Sequence, residues 1–412
     1  MDNPPVKPIF DNIDYLENPF HHHDFSLPVY FRQYGFLTDY EFAWKFIYSY
    51  NGSSATYNVY RREVERLIQW SWMISGKSVL ELKREDIEDY VNFCISPPDD
   101  WIGIKNVARF KNKNGTREIN PDWRPFVASI SKVEAGKGKK PKTSDFTMSQ
   151  ASIRSIFSVL SSFYNFLIQE NISEVNPVLL IRQKSKFLVK KQQKAPVRRI
   201  SNLQWDYVVE TVEKMADEEP ETHERTLFIL KCLLGMYLRI SELVADERSI
   251  PVMGDFRRDN DKNWWFHVIG KGNKSRSVTV SDEMLDALKR YRGYLDLSPL
   301  PLAGERTPLV TKLLGKGPVT STRQIRTLLQ LCYDKTYQKM MEDGLSDDAE
   351  ELRVATVHWL RHTAISEDVK IRPREHVRDD AGHGSMETTD RYIESDARER
   401  HATGRKKKLS EL

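Results

Sequence analysis

Residues 182–199 hold Arg182, Lys184, Lys186, Lys190, Lys191, Lys194, Arg198 and Arg199, with Pro196 among them and no carboxylate. The stretch divides a chain of 412 residues whose two halves both carry apolar residues at helical spacing. So many like charges cannot enter a core, and a proline biases the residue before it away from helix. The chain must therefore fold as at least two bodies joined by a basic linker. In an average protein such a linker is a solvated tether. Here the unbroken sign and the position between two folded halves favour a strap that tracks phosphates. Lys184, Lys186, Lys190, Lys191, Lys194, Arg198 and Arg199 are accordingly read as DNA-binding.

The first half reads as a small helical bundle. Tyr40, Ala43, Phe46 and Ile47 recur at helix spacing, as do Tyr57, Val64, Leu67, Ile68 and Trp70. Ile87, Tyr90 and Val91 share a face. Residues 148–170 carry the clearest stripe: Ile153, Ile156, Leu160, Phe163, Phe166 and Leu167. Between these helices, residues 97–145 are polar and read as a loop insertion, with mobile loops at 111–115 and 136–140. Residues 1–37 lack periodicity and read as an extended arm. Its cluster His21-His22-His23-Asp24 reads as solvated, not metal-binding, because no other ligands stand nearby.

In the second half the spacing predicts helices over 203–215, 224–238, 282–295, 322–341 and 356–368, and a short helix within 379–395. Residues 264–269 and 277–280 read as strands joined by the turn-rich 270–274. The fold class is thus mainly α with a small antiparallel β-sheet: an N-terminal helical bundle followed by an α+β domain. The divisions are 1–37 arm, 38–182 helical domain with the 97–145 insertion, 183–199 linker, 200–395 second domain and 396–412 basic tail.

Hydrophobic residues make up 39% and aromatics 11% of the chain, enough to bury real cores. The net charge of +4 does not by itself require a polyanionic partner, so local clusters decide. Cys94, Cys232 and Cys332 have no metal-ligand spacing and fit a reducing compartment better than a disulfide framework. No secretory signal stands at the N-terminus, and no apolar run approaches the ~20 residues a bilayer needs. The expected location is the cytoplasm, associated with the nucleoid.

Chemistry is concentrated in four short strings. Metal-free scission of a phosphodiester needs bidentate cations for the non-bridging oxygens, a nucleophile in line and an acid for the leaving oxygen. Arg239 follows an apolar helical run, 228–238, and Glu242 three residues on can orient it. Alone, such a pair is usually a surface ion pair. Lys271 stands in Gly270-Lys271-Gly272, where glycines permit close approach, although a lone lysine in a tight turn is commonly just solvated; Lys274 is its rival. His358 and Arg361 sit at i, i+3 and can face one phosphate. A zinc site would want His-Glu-x-x-His, and Trp359 stands in the glutamate's place. Finally, His383 lies in Gly382-His383-Gly384, nine residues before Tyr392. One tyrosine among 17 would by default be a core residue; its place in this series raises it.

Taken in order, Arg239, Lys271, His358 with Arg361, His383 and Tyr392 resemble the signature of the tyrosine recombinase, or phage integrase, family. The strings Leu-Arg-Ile-Ser-Glu-Leu, Val-Ile-Gly-Lys-Gly-Asn-Lys-Ser-Arg, Leu-Arg-His-Thr and Gly-His-Gly-Ser-Met-Glu-Thr-Thr-Asp-Arg-Tyr are similar to the family's as well. The resemblance is firm over residues 198–395 and looser over 38–182, which looks like the family's SAM-like core-binding domain. It implies a site-specific recombinase that cleaves and rejoins DNA through a 3′-phosphotyrosine on Tyr392. Arg239 and Arg361 would clamp the phosphate, and His383 would add a hydrogen bond. His358 would assist the phenol proton, Lys271 would protonate the 5′-oxygen, and Glu242 would hold Arg239. No metal, ATP or other cofactor is implied. The implied partners are double-stranded DNA at specific recombination sites and three further copies of the chain, in a homotetramer on synapsed DNA. Integration, excision or resolution of a mobile element is the implied role, with the tail after Tyr392 docking on a neighbouring copy. A type IB topoisomerase shares the chemistry, and a catalytically silent DNA-binding regulator shares the scaffold. Asp379 and Asp380 stand where the family pattern would have apolar residues.

Overall fold

The computed structural model describes residues 6–15, 32, 34, 36–182, 187, 198–270, 272–314, 317–390, 392, 404 and 405. The chain divides into two compact units, Met1–Gln193 and Lys194–Leu412.

In the first unit α1 (Leu37–Tyr48), α2 (Ser54–Trp70) and α3 (Arg84–Ile95) come first. The strands β1 (Ile102–Gly103), β2 (Phe110–Lys113), β3 (Thr116–Ile119) and β4 (Phe126–Val127) follow. The short α4 (Lys132–Gly136), α5 (Gln150–Gln169) and α6 (Pro177–Arg182) complete it. The Ser53 and Ser149 hydroxyls accept from the N–H groups of Thr56 (3.4 Å) and Ser152 (3.1 Å), which caps α2 and α5. The α5 stripe is buried as its spacing predicts, and Phe163 packs on Phe46 of α1 with centroids 5.2 Å apart. Among the described helices α5 alone is long and apolar enough to cross a bilayer, a length the sequence reading did not credit to any run. Nine of its residues are buried within the unit, so its apolar character is used in packing.

Two expectations for this unit are corrected. The 97–145 insertion is built structure where mobile loops were expected. Strands β1 and β4 pair in parallel, and β2 and β3 form an antiparallel hairpin. Its turn, Asn114-Gly115, has both residues at positive φ (51° and 81°), as a tight two-residue hairpin requires. Residues 136–140 follow α4 and are held in part by Lys139, which bridges Glu134 (2.8 Å) and Asp145 (3.2 Å). The described part of the N-terminal arm is docked. Val6, Ile9 and Phe10 are buried in the same core as α1, α2 and α5. The buried Glu65 carboxylate of α2 accepts from the N–H groups of Ile9 and Phe10 and pairs with Arg109. Arg117 of the hairpin grips both oxygens of Asp11, each at 2.7 Å. The cluster His21-His22-His23-Asp24 lies outside the described residues.

The second unit contains α7 (Asn202–Glu218) and α8 (Pro220–Gly235), then a three-stranded antiparallel sheet of β5 (Phe256–Arg258), β6 (Trp264–Ile269) and β7 (Ser275–Thr279) in that order. Helices α9 (Asp282–Tyr294), α10 (Thr322–Glu342), α11 (Ser346–Arg353), α12 (Val357–Ile371), α13 (Arg374–Ala381) and α14 (Met386–Asp390) follow. The predicted α-rich class with a small antiparallel sheet is the observed one, with β5, α11 and α13 in addition. Ser201 and Gln204 cap α7 reciprocally: the Ser201 N–H donates to Gln204 Oε1 (2.9 Å) and the Gln204 N–H to Ser201 Oγ (3.2 Å). A core of Phe228, Leu230, Phe266, Leu288, Leu329 and Leu360 lies among the sheet and helices α8, α9, α10 and α12.

Replacing Glu65 with alanine strands Arg109 and two main-chain N–H groups in a buried place. Breaking such a pair typically costs about 3–5 kcal/mol. Urea unfolding followed by tryptophan fluorescence should show a loss of that order. Limited proteolysis should cut near residue 15 faster in the variant. An unchanged unfolding midpoint would remove Glu65 as the anchor of the arm.

Candidate active site

The expected site residues with described positions converge in the second unit. Arg239 does not end a helix, as the apolar run suggested. Helix α8 stops at Gly235, and the chain passes through Tyr237 in a left-handed conformation (φ 48°). Arg239 then stands on extended backbone at the start of a 3-10 turn, Ile240–Glu242. The turn brings Glu242 back: the Arg239 N–H donates to its Oε2 (2.8 Å) and the guanidinium Nη1 to its Oε1 (2.9 Å). So Glu242 orients Arg239 as foreseen, through a turn and not along a helix.

A second arginine shares that carboxylate. Arg276 on β7 donates to both Glu242 oxygens, each at 2.8 Å. Burial would push the Glu242 carboxyl up, but the hydrogen bonds and charge of Arg276, then of Arg239, outweigh it and hold it below its ordinary value. Arg276 closes one of the matched strings but was not singled out from sequence; a cation across a hairpin from a glycine carries no signal by itself.

Three consecutive carbonyls at the end of α13 gather three arginines. The Asp380 carbonyl accepts from Arg276 Nε (2.9 Å), that of Ala381 from Arg361 Nη2 (2.5 Å), and that of Gly382 from Arg239 Nη2 at a longer 3.4 Å. The last carbonyls of a helix carry partial negative charge, which suits cations. Arg361 is buried and also donates Nη1 to the Tyr237 carbonyl. These bonds engage two of its five N–H donors. Burial and the neighbouring Arg239 charge lower its pKa to about 10.

Gly382 makes the close approach possible. It sits at φ 62°, and a Cβ there would lie 2.8 Å from Arg276 Cδ. Its N–H bonds to the Asp379 carbonyl (3.0 Å) and that of His383 to the Arg378 carbonyl (3.1 Å), a C-terminal cap that delivers His383. Gly270 likewise faces Arg276 and Glu242, each 3.0 Å from where its Cβ would be. The glycine before Lys271 thus serves the arginine cluster.

Tyr392 is half-buried against two histidines. Its ring stacks on His383 (centroids 5.8 Å apart, 10° between planes), and its hydroxyl lies 2.7 Å from His362 Nδ1. His383 Nδ1 is 2.8 Å from Thr389 Oγ1. His358, expected beside the phenol, is exposed at the start of α12, with its ring edge-on to His362 at 4.3 Å. Sequence reasoning passed over His362 except as half of a rejected zinc pair. Burial first, then His358 and Arg361, lower His362 to about 4. Burial first, then Arg361 and Arg239, lower His383 to about 4. Burial and the same arginines lower His358.

Lys271, Lys184, Lys186, Lys190, Lys191 and Lys194 lie outside the described residues. Arg198 is exposed, whereas Arg199 pairs with Glu367 of α12 at 3.4 Å. Among the described residues no His, Cys, Asp or Glu grouping could hold a metal ion.

Asp380, where an apolar residue was expected, is buried. Its carboxylate accepts from Arg372 Nη2 (2.7 Å) and from the N–H (3.1 Å) and hydroxyl (3.3 Å) of Thr279. Arg372 Nη1 also donates to the Tyr237 hydroxyl (2.7 Å), which donates to Asp368. The ion pair therefore takes the place of apolar packing under the three carbonyls. Asp380→Ala leaves Arg372 without this partner and should lower stability by about 3 kcal/mol. The Asp380→Leu/Arg372→Leu pair should recover most of that loss in thermal unfolding; a double variant as unstable as the single would contradict this account. His362 and His383 titrate lower folded than unfolded, where about 6.5 is ordinary. Their contribution is complete above that value and is lost as pH falls toward about 4. The melting temperature should fall across that window, and less steeply for His383→Gln.

No protein-family model matches the chain. It is 30% identical over 218 residues to the tyrosine recombinase XerD of Rickettsia bellii, covering 53% of this chain and 59% of that protein. It is 26% identical over 333 residues to the tyrosine recombinase XerC of Treponema denticola, covering 78% and 92%. The chain thus spans less than two thirds of the first relative and most of the second. Among solved structures, a XerH site-specific recombinase bound to palindromic difH substrate, in a post-cleavage complex, shares the fold. The TM-score is 0.56, with 13% identity, over 98% of this chain and 99% of that one. The chain thus has the fold of that recombinase and is similar in sequence to the tyrosine recombinases XerD and XerC.

Proposed function

We propose that this protein is a site-specific DNA recombinase that cuts and rejoins strands through a 3′-phosphotyrosine at Tyr392. One observation carries the reading: a phenol and the guanidinium groups of Arg239, Arg276 and Arg361 are assembled in one unit from segments far apart in sequence. A pentavalent phosphorus carries more charge than the phosphodiester, and preorganised cations stabilise that difference. Arg239, about a third exposed, supplies donors to a non-bridging oxygen, and Arg361 supplies charge and its remaining N–H groups from beneath. His358 and His383 flank the phosphate. Glu242 fixes Arg239, and Lys271 protonates the leaving 5′-oxygen.

The phosphotyrosine link retains the energy of the broken phosphodiester, so resealing by a 5′-hydroxyl needs neither ATP nor metal. Similarity to the tyrosine recombinases XerD and XerC and to the XerH recombinase bound to difH supports double-stranded DNA at specific sites as substrate. The reading extends to a homotetramer on two synapsed sites, a role in integration, excision or resolution of a mobile element, and a location with the cell's DNA. Lys184, Lys186, Lys190, Lys191, Lys194 and Arg198 would bind DNA phosphates; Arg199, paired with Glu367, is the least available of the set.

Tyr392→Phe should bind DNA with wild-type affinity and form no detergent-stable adduct on a nicked duplex. An adduct formed by that variant would overturn the assignment. Binding should weaken with salt at a log–log slope of about −0.9 per phosphate contact. Changing Lys190 and Lys191 to glutamine should flatten that slope by up to about two such contacts. An unaltered slope would remove these lysines from the interface.

A further inference from the structure

We propose that His362, not His358, is the catalytic base that takes the phenol proton of Tyr392. The inference rests on the recombinase reading and adds to it the acceptor at the reacting oxygen.

Three observations place His362 there. Its Nδ1 is 2.7 Å from the Tyr392 hydroxyl, within the range for a positioned proton acceptor. Helix α12 fixes the backbone at His362: Leu360 and Arg361 before it and Thr363 and Ala364 after it are buried. Finally, Tyr392 is held from two sides, with His383 stacked on its ring and His362 at its oxygen. His383 faces the phenol with its ring plane, and its Nδ1 is already engaged by Thr389.

The charges around His362 suit an acceptor. His358 and Arg361 face it from its own helix, and Tyr392 and His383 face it from the segment after α13. Burial and the positive field keep the imidazole neutral above about 4, so at neutral pH one ring nitrogen lacks a hydrogen, and the proposal requires that this be Nδ1. In that field it is a weak base. A DNA phosphate set against Arg239 and Arg361 brings negative charge, offsets the field and raises the basicity of His362 when the proton must move.

The step then balances. The Tyr392 proton passes to His362 Nδ1, the phenol oxygen bonds to phosphorus, and the bond from phosphorus to the 5′-oxygen breaks. That oxygen takes a proton from the acid and leaves as a hydroxyl. On resealing, the 5′-hydroxyl gives its proton back to the deprotonated acid as it bonds to phosphorus, the tyrosyl bond breaks, and the imidazolium returns its proton to the phenolate.

The test uses the full-length protein and a nicked duplex whose site is selected from random-sequence DNA by the Tyr392→Phe protein. Single-turnover rate constants are compared, because they do not depend on the fraction folded. Glutamine at 362 can accept a hydrogen bond but cannot take up the proton. His362→Gln should keep DNA affinity and lose about 10²-fold or more in cleavage rate at pH 7. Its rate should climb roughly tenfold per pH unit toward the ordinary phenol pKa of about 10, while the wild-type rate stays flat. Added imidazole should partly restore His362→Ala. His358→Gln should lower the rate without this climb. An unchanged His362→Gln rate, or one parallel to wild type in pH, overturns the proposal. A faster rate also overturns it and makes the hydrogen bond a resting latch. If the wild type links no DNA, the recombinase reading falls and takes this inference with it. If the wild type links DNA and His362→Gln does so equally fast, the inference falls alone.

Discussion

Three guanidinium groups gathered at the end of one helix repel one another, and the second unit must first solve that problem. Its solution is the segment Asp380-Ala381-Gly382, whose successive carbonyls accept from Arg276, Arg361 and Arg239. The Glu242 carboxylate neutralises part of the charge of two of them from the opposite side. Other features follow. Gly382 must lack a side chain because Arg276 passes under it, and Gly270 because Arg276 and Glu242 lie against it. Asp380 must be held from below, since a shift of its carbonyl would move Arg276. The pairing of Asp380 with Arg372 and with the Thr279 main chain does this, tying α13 to β7.

The roles of these residues were unequally legible in the sequence. Arg239, Arg361, His383 and Tyr392 stand in strings whose order is specific, so they could be named without coordinates. Arg276 and His362 stand in the same strings and were passed over. Each acts through a partner remote in sequence: Glu242 lies 34 residues from Arg276, and Tyr392 lies 30 from His362. No local spacing reports such a contact. His358 and His362 show a related limit of sequence reading. The i, i+3 relation of His358 to Arg361 was sound, but helix geometry does not say which of two histidines one turn apart meets a side chain from another element. Helix existence followed the 3.6-residue period closely, whereas the end of α8 did not, because the left-handed turn at Tyr237 falls inside an apolar run.

In the first unit the misreadings have one cause. Residues 6–12 are too few and residues 97–145 too polar to show periodicity, and each is ordered by contacts with the other and with buried groups on α2. Asp11 meets Arg117 from the hairpin, and Glu65 joins the arm's main chain to Arg109. Either segment read by itself looks like loop; the signal resides in the complementarity. The one local cue was Asn114-Gly115, whose preference for positive φ at both positions marks a two-residue hairpin turn.

The charge state of the site argues for a division of labour in time. Without an anion, burial first and the neighbouring positive groups second hold His362 and His383 neutral down to about 4, so no positive charge is added to an already cationic cluster. A neutral imidazole beside a phenol is a poor base only while that field is uncompensated. On the proposed reading, a bound phosphate would both supply the electrophile and offset the part of the His362 shift that the neighbouring charges cause. Proton transfer from Tyr392 would then be coupled to the presence of the group it attacks. In that reading the arginine cluster would do more than bind: by adding to the field at its neighbours, it would make nucleophile activation depend on DNA.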